Sequence, residues 1–355
     1  MDTRGLLFIP DISGFTRFVT ESEINHSRLI IQELLELIIN ANQIALEVSE
    51  IEGDAILFYR FGEPPSLEEI YKQVEKMFCE FHRSLLAYDQ RKYCQCKACA
   101  SAAALSLKVI THYGEFTGYN VKNFSKLIGK DVIVAHQLLK NDIEQHEYWL
   151  VTRDLSHDKL PIDFTASMKW DDSIKKTELG EIHFQYTPLS HLKDNLADDP
   201  IPAVDLSGKT KICSASKVYD TDIITLFHAA GTFAYRHRWW EGVKTVEELN
   251  HFLPRVGMKS KWTLESGEII FILSNYYSYS DTRIEFSETD ETGNLLTYFT
   301  LIKKEAHKTE LTIDIYKSAN RITRFLNGLS GHNKTALKIQ KSLENLIPLL
   351  KENNL

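Results

Sequence analysis

The sequence predicts a protein of the α+β class with two domains. A chain of 355 residues exceeds what one hydrophobic core usually covers, so we expect two domains. Strands and helices alternate through the first half, which is typical of a sheet with helices packed on one face. After a segment rich in Pro and Asp, strands follow one another before a closing helix. The expected domains are therefore residues 1–192 and 209–355, with 193–208 as the linker.

The first half predicts the element order β-α-β-β-α-β-α. A short buried strand covers Leu6–Ile9, and two later strands meet in a hairpin near Glu52–Gly53. Ser66 and Glu69 have the spacing of a capping box, which predicts the start of a helix. LSLKVITHYG and DVIVAHQLLKN predict the next strand and helix. An earlier long helix is predicted from apolar residues at helical spacing, namely Ile30, Leu34, Leu37, Ile38, Ala41, Ile44 and Ala45.

Beyond the linker the pattern changes to one of mostly strands. KTKICSASKVY predicts a first strand, and DTDIITLFHAAGTFAYRHRWW predicts a broken helical stretch. Four or five strands are expected up to Lys317, separated by the turn segments ESGE, SYSD, DETGN and KEAHK. A final helix is predicted from about Asn320 to Glu352, with an interruption near GLSGHN.

Composition argues against several classes of protein. Lys and Arg number 41 against 49 Asp and Glu, so the net charge is −8, and nucleic acid is not expected as the main partner. No apolar stretch approaches the roughly 20 residues that cross a bilayer, so no membrane span is expected. The acidic residue Asp2 argues against a signal peptide at the N-terminus. The expected location is the cytoplasm.

Two short motifs each place an Asp beside a Gly at the end of an apolar run. Asp11 lies in FIPDISGFT and Asp54 in EIEGDAILFY, 54 − 11 = 43 residues apart. Two carboxylates brought side by side are hard oxygen ligands that suit Mg²⁺ or Mn²⁺. Gly14 would let backbone N–H groups approach a phosphate, and Thr16 would add a hydroxyl. Alternatively, Asp11 is a helix N-cap and Asp54 a turn residue.

These motifs resemble the two metal motifs of class III nucleotidyl cyclases, the catalytic domain of adenylate and guanylate cyclases. LKVITHYGEFTGY, LIGKDVIVAHQLL and LGEIHFQYTPLS resemble later strands and a helix of that domain, so the resemblance covers about residues 5–190. It implies a ferredoxin-like palm with a βαββαβ core, a nucleoside triphosphate held by two metal ions, and a homodimer. The metal ligands would be Asp11 and Asp54 with the carbonyl oxygen of Ile12, and the other nucleotide-binding residues would be Gly14, Phe15 and Thr16.

The residues that stabilise the transition state in that family are replaced here. The resemblance places Ile133 where an Asn orients the ribose, and Gln137 where an Arg stabilises the phosphorus centre. Gln has no charge, and Ile donates no hydrogen bond. Removing one such donor typically costs about 10²–10³ in rate, so little turnover is expected.

The positions that select the base are also altered. Glu50 stands where adenylate cyclases have Lys and guanylate cyclases have Glu, and its partner position falls on Lys126. The two side chains would form a salt bridge that fills the pocket, or they would read a base other than adenine.

Three cysteines crowd into CQCKAC, at Cys94, Cys96 and Cys99. With Cys79 or His82 from the preceding helix as a fourth ligand, they would suit a tetrahedral Zn²⁺. Free or reversibly oxidised thiols are the alternative. This insertion is absent from ordinary cyclases and suggests an uncharacterised bacterial subfamily.

The element order from Lys209 onward resembles the START-like helix-grip fold of Bet v 1 and polyketide cyclase-like proteins. That resemblance implies a curved antiparallel sheet wrapped around the last helix, with a cavity for a hydrophobic small molecule. Trp262, Tyr276, Tyr277 and Tyr279 would line the cavity, or would be ordinary core and sheet residues.

Three functions are consistent with these patterns. The first is a catalytically degenerate, cyclase-like sensor that binds metal and nucleotide and is coupled to a ligand-binding domain. The second is an active cyclase that acts on a non-adenine nucleotide. The third is a dimerisation scaffold without a nucleotide. Asp11 and Asp54 argue against the scaffold, whereas Ile133 and Gln137 argue against turnover. The first function is therefore the one that the sequence favours.

Overall fold

The chain divides into two compact units in a computed structural model. The first unit comprises Met1–Asp89 and Gln95–Asp199, and the second comprises Gln90–Cys94 and Pro200–Leu355. The described residues are 3–22, 24–92, 96–122, 124–156, 168–197, 203–249, 256–318 and 330–352. Within these ranges, every helix is too short or too polar to cross a membrane.

The first unit is built on a seven-stranded mixed sheet. Its strand order is β2-β3-β1-β4-β7-β9-β8, and β4 and β7 are its one parallel pair within the described residues, while β5 and β6 form a separate hairpin. The elements in chain order are β1 (Arg4–Ser13), α1 (Phe15–Glu21), α2 (Ile24–Asn40), β2 (Glu47–Glu52), β3 (Ala55–Phe61), α3 (Leu67–Arg91), α4 (Lys97–Ser101), β4 (Ser106–Glu115), β5 (Thr117–Val121), β6 (Phe124–Ile128), α5 (Lys130–Leu139), β7 (Tyr148–Thr152), α6 (Arg153–Ser156), β8 (Asp171–Thr177) and β9 (Gly180–Pro188).

Strand β1 is an interior strand of this sheet and is nearly all buried. Its apolar run Leu6–Ile9 is at most 1% exposed, and the strand pairs with β3 on one side and β4 on the other. The pairing sets Asp11 opposite Ala55 of β3 and opposite Lys108 of β4. The strand that was predicted from its hydrophobicity thus places Asp11 between strands β3 and β4.

The predicted hairpin and capping box are both confirmed. Strands β2 and β3 join through Gly53, whose φ of 63° lies in the left-handed region that glycine adopts without strain. At the start of α3, Ser66 N donates to Glu69 Oε2 over 2.9 Å, and Glu69 N donates to Ser66 Oγ over 3.3 Å.

The predicted long helix is shorter than its apolar pattern suggested. Helix α2 ends at Asn40, so Ile44 and Ala45 lie in the following loop. There Ala45 has a φ of 56°, and the side chain of Asn42 both donates to Leu46 O and accepts from Leu46 N. These side-chain hydrogen bonds stabilise a loop over residues 42–46, where hydrophobicity alone would continue the helix.

The second unit is a seven-stranded antiparallel sheet with helices packed on it. Its strand order is β10-β16-β15-β14-β13-β12-β11. One hydrophobic cluster joins residues of the sheet to the last helix. The elements are β10 (Lys209–Tyr219), α7 (Ile223–Gly231), α8 (Arg236–Trp239), β11 (Val243–Glu248), β12 (Lys259–Leu264), β13 (Ile269–Ser280), β14 (Arg283–Asp290), β15 (Leu295–Glu305), β16 (Lys308–Ser318) and α9 (Ser330–Leu350).

Two predictions for this unit need correction. Among the described residues, six strands follow the helical stretch, where four or five were predicted. The additional strand is accounted for by β11, an edge strand in which half of the residues are charged and only Val243 is buried, so it lacks the alternation that marks a strand. The final helix is described from Ser330, whereas the predicted start at Asn320 lies outside the described residues.

The core of the second unit contains an ion pair enclosed by aromatic rings. Arg236 is 0% exposed and donates two hydrogen bonds to Glu288, over 2.9 and 2.7 Å. Burial raises the pKa of Glu288, and the Arg236 charge opposes that rise. Ring centroids within 5.6 Å of the guanidinium belong to Phe233, Trp239, Trp240, Trp262 and Phe299.

Candidate functional site

The two predicted metal carboxylates lie at neighbouring positions of the first sheet. Asp11 is on β1, opposite the first residue of β3, and Asp54 occupies the turn just before that residue. The backbone N–H of Ile12 donates to the carbonyl oxygen of Asp54 over 3.1 Å, which fixes the turn against β1. Local hairpin geometry and one strand pairing are therefore enough to assemble the acid pair.

Lys108, which sequence reasoning missed, lies beside this pair. Its Nζ is 3.4 Å from Asp11 Oδ1 and donates to Leu139 O over 3.2 Å. The lysine side chain is 18% exposed and that of Asp11 is 13% exposed, so water screens their attraction only partly. A single Lys inside the otherwise apolar start of strand LSLKVI was the available signal. It supplies one positive charge where a metal ion was predicted.

The pKa values of both carboxyls are raised. Burial is the largest cause of the rise for Asp11, and the charge of Lys108 opposes it. For Asp54, burial and then the negative charge of Asp11 raise the pKa to about 6. Because a raised pKa means that the negative form is under-stabilised, the pair favours an additional cation.

The predicted phosphate loop follows directly on β1. Gly14 has a φ of 88°, which favours glycine, and precedes α1. Thr16, the second residue of α1, is exposed, and Phe15, the first, is half-buried. The ring of Phe15 lies 3.7 Å from the position that a Cβ on Gly53 would occupy. A cavity of about 350 Å³ adjoins the loop, lined by Ser13, Gly14, Arg17, Phe18, Glu21, Ser101, Ala104, Leu105, Ser106 and His146.

The two predicted base-selecting residues contact each other. Lys126 Nζ on β6 donates to Glu50 Oε2 on β2. His136 of α5 joins them, with Nε2 3.8 Å from Glu50 Oε1 and Nδ1 3.7 Å from Glu52 Oε2. Ligand atoms of Glu50, Glu52 and His136 lie within 4.8 Å of one another, so these three residues form a candidate cation site. The ammonium group of Lys126 already contacts one of its carboxylates.

The two replaced catalytic positions lie on α5. Ile133 is 51% exposed and offers only an apolar surface. Gln137 Oε1 is buried and has no hydrogen-bond partner within the described residues. Neither side chain supplies a positive charge to a developing phosphorane.

Helix α5 is held close to the end of β4. Asp131 Oδ2 accepts from Glu115 N over 2.6 Å, and Asp131 Oδ1 lies 3.2 Å from His112 Nε2. Burial raises the pKa of Asp131, but the hydrogen bonds from His112 and Glu115 outweigh it and leave the pKa lowered. A Cβ at Gly114 would lie 2.3 Å from this carboxylate, so only glycine permits the close approach.

The structure brings together two of the predicted zinc ligands with a histidine that was not predicted. Cys96 and Cys99 lie together, but the third group beside them is His26 of α2. Neither Cys79 nor His82 belongs to this cluster among the described residues, and His82 Nε2 lies 3.6 Å from Glu147 Oε1.

The two excluded residues have environments of their own, and the third predicted cysteine cannot be placed. Burial lowers the pKa of His82 to about 4 and raises the pKa of the Cys79 thiol. Cys94 lies outside the described residues. The position of His26, 70 residues before Cys96, depends on helix packing that spacing rules do not capture.

Of the four aromatic residues predicted to line a cavity in the second unit, two are buried. Trp262 is 3% exposed and donates to Ser260 Oγ, while Tyr277 is 7% exposed. Tyr276 stacks on Tyr298 at 6.1 Å, and Tyr279 is 38% exposed.

By sequence, the chain is similar to a protein family and to a mycobacterial protein. A family described as proteins of unknown function (DUF2652) matches residues 31–148. The uncharacterized protein Rv2561/Rv2562 of Mycobacterium tuberculosis is 27% identical over 184 residues, or 49% of this chain and 73% of that protein.

Solved structures similar to about half of the chain include catalytic domains of class III adenylyl and guanylyl cyclases. The catalytic core of a rhodopsin-guanylyl cyclase with converted specificity, in complex with ATPαS, is 13% identical, with a TM-score of 0.38 over 52% of this chain and 96% of that one. The guanylate cyclase domain from Catenaria anguillulae with GTP is 12% identical, with a TM-score of 0.36 and the same coverage. The adenylyl cyclase CyaB from P. aeruginosa is 12% identical, with a TM-score of 0.34 over 54% of this chain and 96% of that one.

Proposed function

We propose that the protein is a cyclase-like sensor that binds a nucleoside triphosphate with Mg²⁺ or Mn²⁺ and does not turn it over. Its nucleotide-binding domain would be residues 1–192, joined through 193–208 to a START-like domain at 209–355 that takes a hydrophobic small molecule. The observation that carries the proposal is the acid pair Asp11 and Asp54, in which burial and mutual repulsion raise the pKa of Asp54 to about 6.

The donor set suits one hard divalent cation. The two carboxylates, with the Ile12 carbonyl as a further ligand, offer only oxygen atoms, which Mg²⁺ and Mn²⁺ prefer. Lys108 already partly neutralises Asp11 at 3.4 Å, so the uncompensated charge rests mainly on Asp54. A bound metal ion would screen a triphosphate, while Gly14 and the start of α1 leave backbone N–H groups open to phosphate oxygens.

We infer the lack of turnover from two side chains on α5. Ile133 and Gln137 bring neither a charge nor a matched pair of donors to the transition state, and each missing donor costs about 10²–10³ in rate. The Glu50–Lys126 contact further supports a pocket occupied by its own salt bridge. A homodimer belongs to the proposal because, in the class it resembles, the metal and transition-state residues come from different subunits.

An active cyclase acting on a non-adenine base is the second candidate. It is supported by Glu50, which has the residue type of guanylate cyclases, and by Lys126 as an alternative contact for a base. Both candidates require metal-dependent nucleotide binding, so product formation separates them.

The proposal is tested by Mn²⁺-dependent binding of a fluorescent GTP or ATP analogue to the full chain. Asp54→Asn is expected to reduce the binding at least tenfold, because it removes the carboxylate that is least compensated. Asp220→Asn, which changes an exposed residue of the second unit, is the matched control. Unchanged binding in Asp54→Asn would contradict both nucleotide-binding candidates.

A further inference from the structure

A cluster of one histidine and two cysteines joins two helices of the first unit. His26 lies in the first turn of α2, Cys96 is the N-cap residue of α4, and Cys99 lies within α4. Cys99 is 0% exposed, and the other two are half-buried. The cluster is separate from Asp11 and Asp54, and it plays no part in the nucleotide chemistry proposed above.

The distances in the cluster match a tetrahedral zinc site. His26 Nδ1 lies 3.3 Å from Cys96 Sγ and 3.4 Å from Cys99 Sγ, and the three atoms lie within 4.8 Å of one another. Bonds of about 2.3 Å to sulfur and about 2.0 Å to nitrogen, at a tetrahedral angle, separate N and S ligands by about 3.5 Å. A few tenths of an ångström of adjustment therefore admit the ion.

The chemistry of the donors selects the class of metal. Two sulfur atoms and one imidazole nitrogen are softer ligands than the oxygen atoms that Mg²⁺ and Ca²⁺ require. The backbone N–H of Cys99 points to Cys96 Sγ at 3.5 Å, a contact that stabilises negative charge on that sulfur. Both cysteines would bind the ion as thiolates.

We propose that His26, Cys96 and Cys99 bind one zinc ion that fastens α2 to α4. The fourth position of the tetrahedron is left to water or to one further side chain. The ion would also affect the neighbouring cavity, because Ser101 at the end of α4 and Ala104 shortly after it line that cavity together with Gly14. Zinc would restrict the motion of α4 and so of these lining residues.

The test is a zinc measurement on the purified full chain. Protein prepared under reducing conditions is equilibrated with zinc, freed of excess metal and analysed by mass spectrometry for zinc per chain. We expect about one zinc in the wild type and in the control Cys79→Ser, and almost none in His26→Ala or Cys99→Ser. Cys79 is the matched control because it is a thiol of the same unit that lies outside the cluster.

Cobalt(II) titration of the wild type keeps the test decisive if a variant fails to fold. Tetrahedral cobalt bound to two sulfurs and a nitrogen gives intense d–d absorption together with sulfur-to-metal charge transfer. Absence of both bands and of zinc in the reduced wild type would overturn the proposal. A Cys96–Cys99 disulfide that reforms in the presence of zinc would do the same, as would full zinc content in a folded His26→Ala. Nucleotide binding is measured separately, so failure of the zinc site leaves the proposed function standing.

Discussion

The ammonium nitrogen of Lys108 lies 3.4 Å from Oδ1 of Asp11, on two strands whose pairing sets these residues opposite each other. The chain thus carries a cation of its own at the place where a metal ion would bind. The charge of Lys108 also acts to lower the pKa of Asp54, but burial and the charge of Asp11 raise it by more. Lys108 therefore neutralises the acid pair only in part, and the pair still favours binding of a further cation.

Replacing Lys108 by Met should strengthen Mn²⁺ binding. The variant removes a positive charge that competes with the ion at short range, and a charge at such a distance changes affinity by about tenfold or more. Isothermal titration with Mn²⁺ measures the effect. Lys130→Met, which removes an exposed lysine at the start of α5, is the control. Equal or weaker binding in Lys108→Met would show that Lys108 does not compete with the metal.

The raised pKa of Asp54 predicts a pH dependence of stability. Its folded-state pKa of about 6 exceeds the ordinary value of 3.8, so the folded protein holds the proton more tightly than the unfolded chain. The resulting stabilisation is full below about pH 4 and is lost as the pH rises through about 6. Urea unfolding of the metal-free protein between pH 4 and 7.5 should show a decline that is smaller in Asp54→Asn. Parallel curves for the two proteins would refute this assignment.

Gly114 should tolerate no side chain. A Cβ there would lie 2.3 Å from the Asp131 carboxylate, so Gly114→Ala should cost about 1–3 kcal/mol of unfolding free energy. Denaturant unfolding measures the loss. In Gly118→Ala the new Cβ has no neighbour nearer than 3.9 Å, and little change is expected. Combining Gly114→Ala with Asp131→Ala should remove the clash, and an undiminished loss in the double variant would argue against this packing.

The buried pair in the second unit should be strongly coupled. Glu288→Ala leaves the Arg236 charge without its anion at a position that is 0% exposed, which should cost about 3–5 kcal/mol. Glu291→Ala breaks the exposed pair with Lys259 and should cost about 1 kcal/mol or less. Thermal or denaturant unfolding distinguishes the two losses. Similar values for both variants would mean that Arg236 finds another partner or reaches water.

Local signals predicted the parts of the fold that depend on neighbouring residues. The Ser66–Glu69 capping box and the Gly53 turn follow from a few adjacent side chains, and both are confirmed. Lys108 and His26 escaped prediction because their roles depend on strand pairing and helix packing across 97 and 70 residues, the separations from Asp11 (108 − 11) and from Cys96 (96 − 26). The end of α2 was mispredicted because the apolar spacing continues into a loop that the side chain of Asn42 stabilises.

The most direct measurement is a search for cyclic nucleotide product with binding recorded in the same samples. The purified full chain is incubated with ATP, GTP, CTP or UTP and Mn²⁺, and products are read by mass spectrometry beside Asp11→Ala. We expect metal-dependent nucleotide binding by the wild type and no cyclic product from any of the four. A cyclic nucleotide that forms with the wild type and disappears in Asp11→Ala would contradict it, and would make the protein an active cyclase despite Ile133 and Gln137.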